Sequence, residues 1–352
     1  METVNFPFPW LELIEHPAFC VRNMKVVAAN AAAERLFISV GAEVSQMVTA
    51  HMEAYHDFHG DCLFLTVTAA GLTHNAYVKR IPECDIFVLQ SGDAHLEALA
   101  LAAQQLRIPL GNLMSVSTQR LSPIEDNSIP CAGQINRALF QLLRIVSNMS
   151  DAGKKPVAAK YSTYTVDIAA VFREIMEKTA ALLEESGKRI AYSGPDTSVF
   201  SLACPEILER AVYNLLSNAL KFSPASSTVY TKLSRNGNAL SFSVCNTTEN
   251  PVKENIFWNY YRREASITDP RHGLGLGMTL VCSAASVHGG TVLIDHPEPN
   301  QIRITVTIPI QTDSSNLIRS PLFNLGDYAG GYDKGLLELS ELLPAEFYRQ
   351  ID

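Results

Sequence analysis

Apolar positions along this chain change period several times, and each change marks an element. Near the N-terminus, Phe19-Cys20-Val21 and Lys25-Val26-Val27-Ala28-Ala29-Asn30 read as strands, followed by a short helix from Ala31 to Phe37. The runs Cys62-Leu63-Phe64-Leu65-Thr66-Val67 and Asp85-Ile86-Phe87-Val88-Leu89-Gln90 add two more strands. The rhythm then becomes helical. Leu96, Leu99, Ala103, Leu106, Leu110 and Leu113 are spaced three, four, three, four, three, as in an a/d seam, and Ile135, Leu139, Leu142, Val146 and Met149 repeat it. Joined through Ser122-Pro123 to Pro130, the two form an antiparallel hairpin whose remaining apolar surface a second copy would cover as a four-helix bundle. Further on, Leu208, Val212, Leu215, Leu216 and Ala219 predict one amphipathic helix, ended by Ser223-Pro224. Strands follow at Leu240 to Val244 and Ile302 to Ile310, with an apolar helix (Leu280, Val281, Ala284, Ala285) between them. In the tail, Leu336, Leu339 and Leu343 stripe a short helix that docks against the body of the chain or serves a partner.

Bulk properties narrow the class. A length of 352 residues suggests two or three compact units, and 47% hydrophobic with 18% charged residues fits a chain that buries real cores. The net charge of -8 argues against direct nucleic-acid binding. No apolar run reaches spanning length and no signal peptide opens the sequence, so a cytoplasmic chain without a membrane span is expected. The seven cysteines show no metal or disulfide spacing and read as reduced thiols. His51, His56 and His59, with Asp57 and Asp61, are spaced i, i+5, i+8, which does not share one helix face; they read as solvated polar surface rather than a metal site.

The chemistry concentrates between Asn214 and Met278. Asn214 and Asn218 are four residues apart on the predicted helix, and Lys221 follows one turn later on the same face. Amide oxygens can hold Mg²⁺ beside phosphates, and an ammonium can meet those phosphates as a point charge. Alone, this is equally an ordinary helix with two surface amides. Gly273-Leu274-Gly275-Leu276-Gly277-Met278, directly before the next apolar helix, weighs for the first reading, because alternating glycines let backbone N–H groups approach phosphate oxygens at a helix N-terminus.

Taken together, these two motifs resemble the ATP-binding domain of sensor histidine kinases, within the larger group that includes gyrase-type and heat-shock-protein-90-type ATPases. The resemblance puts Asn214, Asn218 and Lys221 on the N box, with both asparagines as Mg²⁺ ligands. It puts Phe257 to Arg262 on the F box, with Tyr261 and Arg262 among the nucleotide contacts, and Gly273, Gly275, Leu276 and Gly277 on a glycine box. After the Leu240 strand the family has Asp-x-Gly-x-Gly, whereas this chain has Asn246-Thr247-Thr248-Glu249-Asn250. The Asn246 oxygen can still accept from an adenine amino group. Thr248 and Asn250 add bulk where the family's glycines let the backbone pass the base.

The resemblance extends upstream. Family members carry His-Glu-x-x-Thr-Pro on the first hairpin helix, and here Gln104-Gln105-Leu106-Arg107-Ile108-Pro109 aligns with it. Gln104 replaces the phosphoacceptor and Gln105 the acidic residue that would take its proton, while no His occurs between His95 and His272. Self-phosphorylation on histidine in the usual way is therefore not expected. The N-terminal runs, with Asn30, resemble a PAS-type sensor, a small antiparallel sheet cupping a ligand or partner.

The expected protein is α+β and multidomain. It comprises a PAS-like sensor (1–92), a dimerisation hairpin (93–152), an α/β-sandwich ATP-binding domain (153–311) and a tail (312–352). It is expected to form a homodimer, to bind Mg²⁺ and ATP, and to regulate a response regulator or partner histidine kinase. An active kinase working on a partner in trans and a nucleotide-free scaffold are the alternatives.

Overall fold

The computed structural model describes residues 8–90, 102, 103, 106, 110, 111, 113, 114, 131–152, 163–184, 186–248, 276–312, 329 and 331–349. The N-terminal part holds β1 (Ala18–Arg22), β2 (Lys25–Ala29), α1 (Ala31–Glu34), α2 (Val44–Met47), α3 (Met52–Asp57), β3 (Cys62–Ala69), β4 (Leu72–Arg80) and β5 (Asp85–Leu89). Its strands are all antiparallel, in the order β2-β1-β5-β4-β3. One face of this sheet packs Phe19, Val21, Leu63, Leu65 and Phe87 against Tyr55 of α3 and Val44 of α2. The other face, with Cys20, Phe64, Tyr77 and Val88, joins a larger core reaching the C-terminal half.

Three local expectations need correction. Strand β4 was not anticipated, because its first half is polar and only Ala76, Tyr77 and Val78 are buried. It follows β3 through Ala70 and Gly71, both at positive φ, in a tight reversal. Helix α1 stops at Glu34, short of Phe37, which itself takes φ 61° and points to solvent. His51 is buried and hydrogen-bonded to Thr66 Oγ1 at 2.9 Å, whereas His56 pairs with Asp57 in the open and Asp61 pairs with His296. Only part of that histidine cluster is solvated surface, and among the described residues no group of three acidic, His or Cys side chains could hold a metal.

The C-terminal half runs α4 (Cys131–Ala152), β6 (Tyr164–Asp167), α5 (Ile168–Leu183), β7 (Arg189–Ser193), β8 (Phe200–Ala203) and α6 (Pro205–Phe222). It continues with β9 (Thr228–Asn236), β10 (Ala239–Thr247), α7 (Leu276–Val287), β11 (Thr291–Asp295), β12 (Gln301–Pro309) and α8 (Lys334–Glu338), and a 3₁₀ turn at Ala345–Tyr348 follows. Its main sheet has the order β11-β12-β10-β9-β7, with β7 parallel to β9. The alternation of β10 turns Leu240, Phe242, Val244 and Asn246 inward, and Phe172 of α5 meets Phe242 edge-on at 4.7 Å.

The two sheets are one. Strand β3 pairs antiparallel with β11, opposing Cys62 to Ile294, Leu63 to Leu293 and Phe64 to Val292, so ten strands run continuously. Asp61 N donates to Ile294 O at 2.9 Å, and a Cβ on Gly60 would stand 2.9 Å from that same oxygen. The pairing thus satisfies backbone groups that a free edge would leave open on both strands.

The heptad runs divide between two environments. Residues 102, 103, 106, 110, 111, 113 and 114 are helical, with Ala103, Leu110 and Met114 buried and Leu106 54% and Leu113 59% exposed. On α4, Phe140, Leu143 and Val146 point into the core while Ile135, Leu142 and Ile145 face solvent. Positions seven apart share a face, so one line of each seam serves the chain's own core while Leu106, Leu113, Ile135 and Leu142 on the other stay uncovered, and Met149 at the end of that line packs partly against the core.

Candidate functional site

Helix α6 owes its position to its apolar stripe: Leu208, Ala211, Val212, Leu215 and Leu216 face the sheet. Pro205 opens it and Ser223, in extended conformation, closes it. Asn214, only 1% exposed, and the half-buried Asn218 look toward the start of α7. Asn214 Nδ2 donates to Arg210 O at 2.8 Å, so its Oδ1 is turned the other way. A Cβ on Gly277 would lie 3.0 Å from that Oδ1 and 3.4 Å from Asn218 Nδ2. Gly277 therefore lets the first turn of α7 approach the two amides closely. A helix N-terminus beside an inward amide oxygen is a donor and acceptor set that fits an anion with a divalent cation.

Leu276 begins α7 and is buried. Asn246 ends the inward row of β10, on the same side of the sheet as α6, and its Nδ2 donates to Thr247 O at 3.3 Å. Thr248 N is held by Asn300 O at 2.8 Å, fixing the chain where it leaves the strand. Tyr261, Arg262, Gly273, Gly275, Gln104 and Gln105 lie outside the described residues.

Lys221 shows what the sequence did not. Its Nζ lies 2.6 Å from Glu341 Oε2, in the tail beyond α8. Glu341 Oε1 is 3.4 Å from an Arg144 NH1 on α4, and Arg144 Nε reaches Glu338 Oε2 at 3.1 Å. Burial raises the Glu341 carboxyl pKa, but Arg144 and Lys221 outweigh it, so the group sits below the ordinary glutamate value and is ionised. Arg210, one turn before Asn214, pairs with Asp151 and hydrogen-bonds Asn148 Oδ1 at 2.8 Å, both on α4. Arg144 on α4, Glu338 at the end of α8 and Glu341 beyond it escaped sequence reading because each is a charge set among apolar neighbours in the sequence. Such a charge, when buried, needs a partner that only the fold supplies.

His288 closes the far end of the helical layer. Its Nε2 accepts from Cys204 N at 3.0 Å and its Nδ1 donates to Ala284 O at 2.7 Å, which ties the end of α7 to the start of α6. Burial holds its pKa below the usual histidine value, against the opposing Ala284 hydrogen bond.

Parts of the chain are similar to known proteins. Residues 204–312 match the family of histidine kinase-, DNA gyrase B- and HSP90-like ATPases. Over 53% of the chain the sequence is 29% identical to the probable sensor protein PcoS of Escherichia coli, covering 41% of that protein. It is 26% identical to the sensor histidine kinase CusS of Escherichia coli K12 over 68% of the chain and 49% of that protein. The chain thus spans half or less of the length of these relatives. The crystal structure of full-length ShkA in complex with AMPPNP superposes with a TM-score of 0.50 at 22% identity, over 63% of this chain and 47% of that one. The family match at residues 204–312 takes in α6, β9, β10, α7, β11 and β12, and the similarity to sensor histidine kinases extends over a wider span of the chain.

Proposed function

We propose that this chain is a histidine-kinase-like two-component signalling protein that binds Mg²⁺-ATP and regulates a response regulator or partner histidine kinase without labelling itself on histidine. The observation that carries the nucleotide part is Asn214 and Asn218 gathered against Gly277 at the start of α7. In this reading Asn214 and Asn218 hold the divalent cation that screens the phosphates. Lys221 adds a point charge, Asn246 accepts from the base, and the segments with Tyr261, Arg262, Gly273 and Gly275 close over the nucleotide. Residues 1–92 act as a PAS-like sensor, a reading supported by a five-stranded antiparallel sheet with short helices on one face. Residues 93–152 form the hairpin, 153–311 the ATP-binding unit and 312–352 the tail.

A homodimer is supported by the apolar positions left in solvent on both hairpin segments, Leu106, Leu113, Ile135, Leu142 and Ile145. A cytoplasmic setting agrees with the finding that, among the described residues, no helix is long and apolar enough to cross a membrane. Calorimetry on the full chain with Mg²⁺ and ATP is the direct test. Binding is expected, and Asn218→Ala should weaken it by about 1–3 kcal/mol, the worth of a polar group on a charged ligand. No heat at millimolar ATP would favour a scaffold. Incubation with radiolabelled ATP is expected to leave no acid-labile phosphate on the chain, since Gln104 offers no nucleophile, and labelling of an added partner would mark a kinase acting in trans.

A further inference from the structure

We propose that the C-terminal tail is an internal competitor for the phosphate site, with the Glu341 carboxylate holding the Lys221 ammonium that the nucleotide's phosphates would otherwise engage. The inference rests on the nucleotide reading above and adds its regulation.

The contact is built into the packing. Lys221 and Glu341 side chains are 14% and 29% exposed, so their 2.6 Å pair is shielded from the solvent screening that weakens surface pairs. Leu337, Leu339, Leu343 and Tyr348 are fully buried and hold the tail in the main core. Tyr332 and Tyr348 meet Phe140 of α4 edge-on at 5.3 and 5.1 Å. Arg137 donates to Ser340 O and Glu341 O at 3.0 Å each, fixing the backbone of the competing residue. Lys334 pairs with Glu209 at 2.6 Å and Lys178 with Asp333 at 2.7 Å, which staples α8 to α6 and α5.

Helix α4 is cut to receive this tail. A Cβ on Gly133 would stand 2.3 Å from Ala345 O, nearer than any side chain can come to a backbone oxygen. A glycine inside a 22-residue helix costs about 1 kcal/mol relative to alanine, and here it opens the seat for the tail.

The same carboxylate bridges two elements. Glu341 binds Lys221 on the ATP-binding domain and Arg144 on the hairpin helix. Phosphates that take Lys221 leave Glu341 with Arg144 alone, so nucleotide occupancy and the hairpin's hold on the tail are linked. By reciprocity, whatever draws the tail away strengthens nucleotide binding.

The test uses the full chain and calorimetric titration with Mg²⁺-ATP, Mg²⁺-ADP and adenosine. Glu341→Gln keeps the shape and removes the charge. Gly133→Ala, away from the phosphate site and favourable for the helix itself, pushes the tail from its seat. Each variant is expected to bind ATP and ADP roughly three- to tenfold more tightly than the wild type, as removal of a partly shielded ionic competitor predicts. Adenosine, which has no phosphate, should be unaffected. Should Glu341→Gln fail to fold, Gly133→Ala alone decides. Unchanged ATP affinity, or an equal gain for adenosine, overturns the competition while the nucleotide reading stands. No binding of any nucleotide by any variant overturns both.

Discussion

At the residue scale, some buried polar side chains are held from several sides at once, while others, such as the Thr179 and Ser217 hydroxyls, have no hydrogen-bond partner among the described residues. Asn30 is the plainest case: its Oδ1 accepts from Ala18 N at 3.0 Å and Ala33 N at 2.9 Å, and its Nδ2 donates to Ile14 O and His16 O at 2.9 and 2.8 Å. It caps α1 and ties the entering chain to β1. Asn30→Ala strands these groups away from water and should destabilise the protein by about 2–4 kcal/mol in chemical denaturation. His288 and His51 give a pH signature. Both have folded pKa values below the ordinary 6.5 because burial disfavours the charged ring. The unfolded chain therefore takes up these protons first as pH falls below 6.5, and stability should decline from there toward the lower folded values, with no contribution above 6.5. The melting temperature between pH 7 and pH 5 should fall less in His288→Phe than in the wild type, since the phenylalanine has no proton to gain. An identical slope would show that His288 does not titrate on unfolding. The asparagines of α6 and the glycine at the head of α7 were legible in the sequence because helix period and glycine spacing are local facts. The ion pairs of Glu341 were not, since 120 residues separate it from Lys221.

At the scale of elements, period predicted type more reliably than boundary or partner. The strands at Phe19, Lys25, Cys62 and Asp85 all form, because short apolar runs between turn residues suit a half-buried pleat. Strand β4 stayed hidden because half of it is polar and exposed, so pairing with β3 and β5 rather than its own pattern makes it a strand. The helical seams were visible as seams, yet their division into inward and outward lines was not. Nothing in the spacing tells Ala103 from Leu106. The division makes a sharp prediction for α4. Leu142, half exposed, should tolerate Asp within one chain, yet an unpaired carboxylate at a subunit interface is costly enough to separate a marginal bundle. Sedimentation should give monomers for Leu142→Asp at micromolar concentration with circular dichroism unchanged, whereas Leu143→Asp, directed into the core, should unfold the chain. A variant Leu142→Asp that sediments like the wild type would mean that this face is not the dimer contact.

At the scale of the molecule, the feature that no local pattern announced is the seam between β3 and β11. Alternation tells which face of a strand is buried but is silent on which strand lies beside it, so the N-terminal and C-terminal sheets read as separate units. Their union has a mechanical consequence. Leu63 faces α2 and α3 while its neighbours Cys62 and Phe64 lie in the core that Cys282 of α7 also enters, and Tyr77 OH donates to Cys282 Sγ at 3.8 Å. The helix whose first turn faces Asn214 and Asn218 thus rests, at its middle, on the N-terminal sheet. A shift of that sheet has a short packed route, through Tyr77 and Cys282, to the candidate site. If the seam couples the halves, they should open together. In hydrogen exchange under increasing denaturant, amides of β1 and β10 should lose protection at the same concentration in the wild type. Gly60→Ala, whose new Cβ would press on Ile294 O, should expose the amides of Cys62 to Phe64 and Val292 to Ile294 first, at a cost of about 1–3 kcal/mol. Loss of β1 protection well before β10 in the wild type would mean two independent units that merely touch, and would remove the route from the N-terminal sheet to the site.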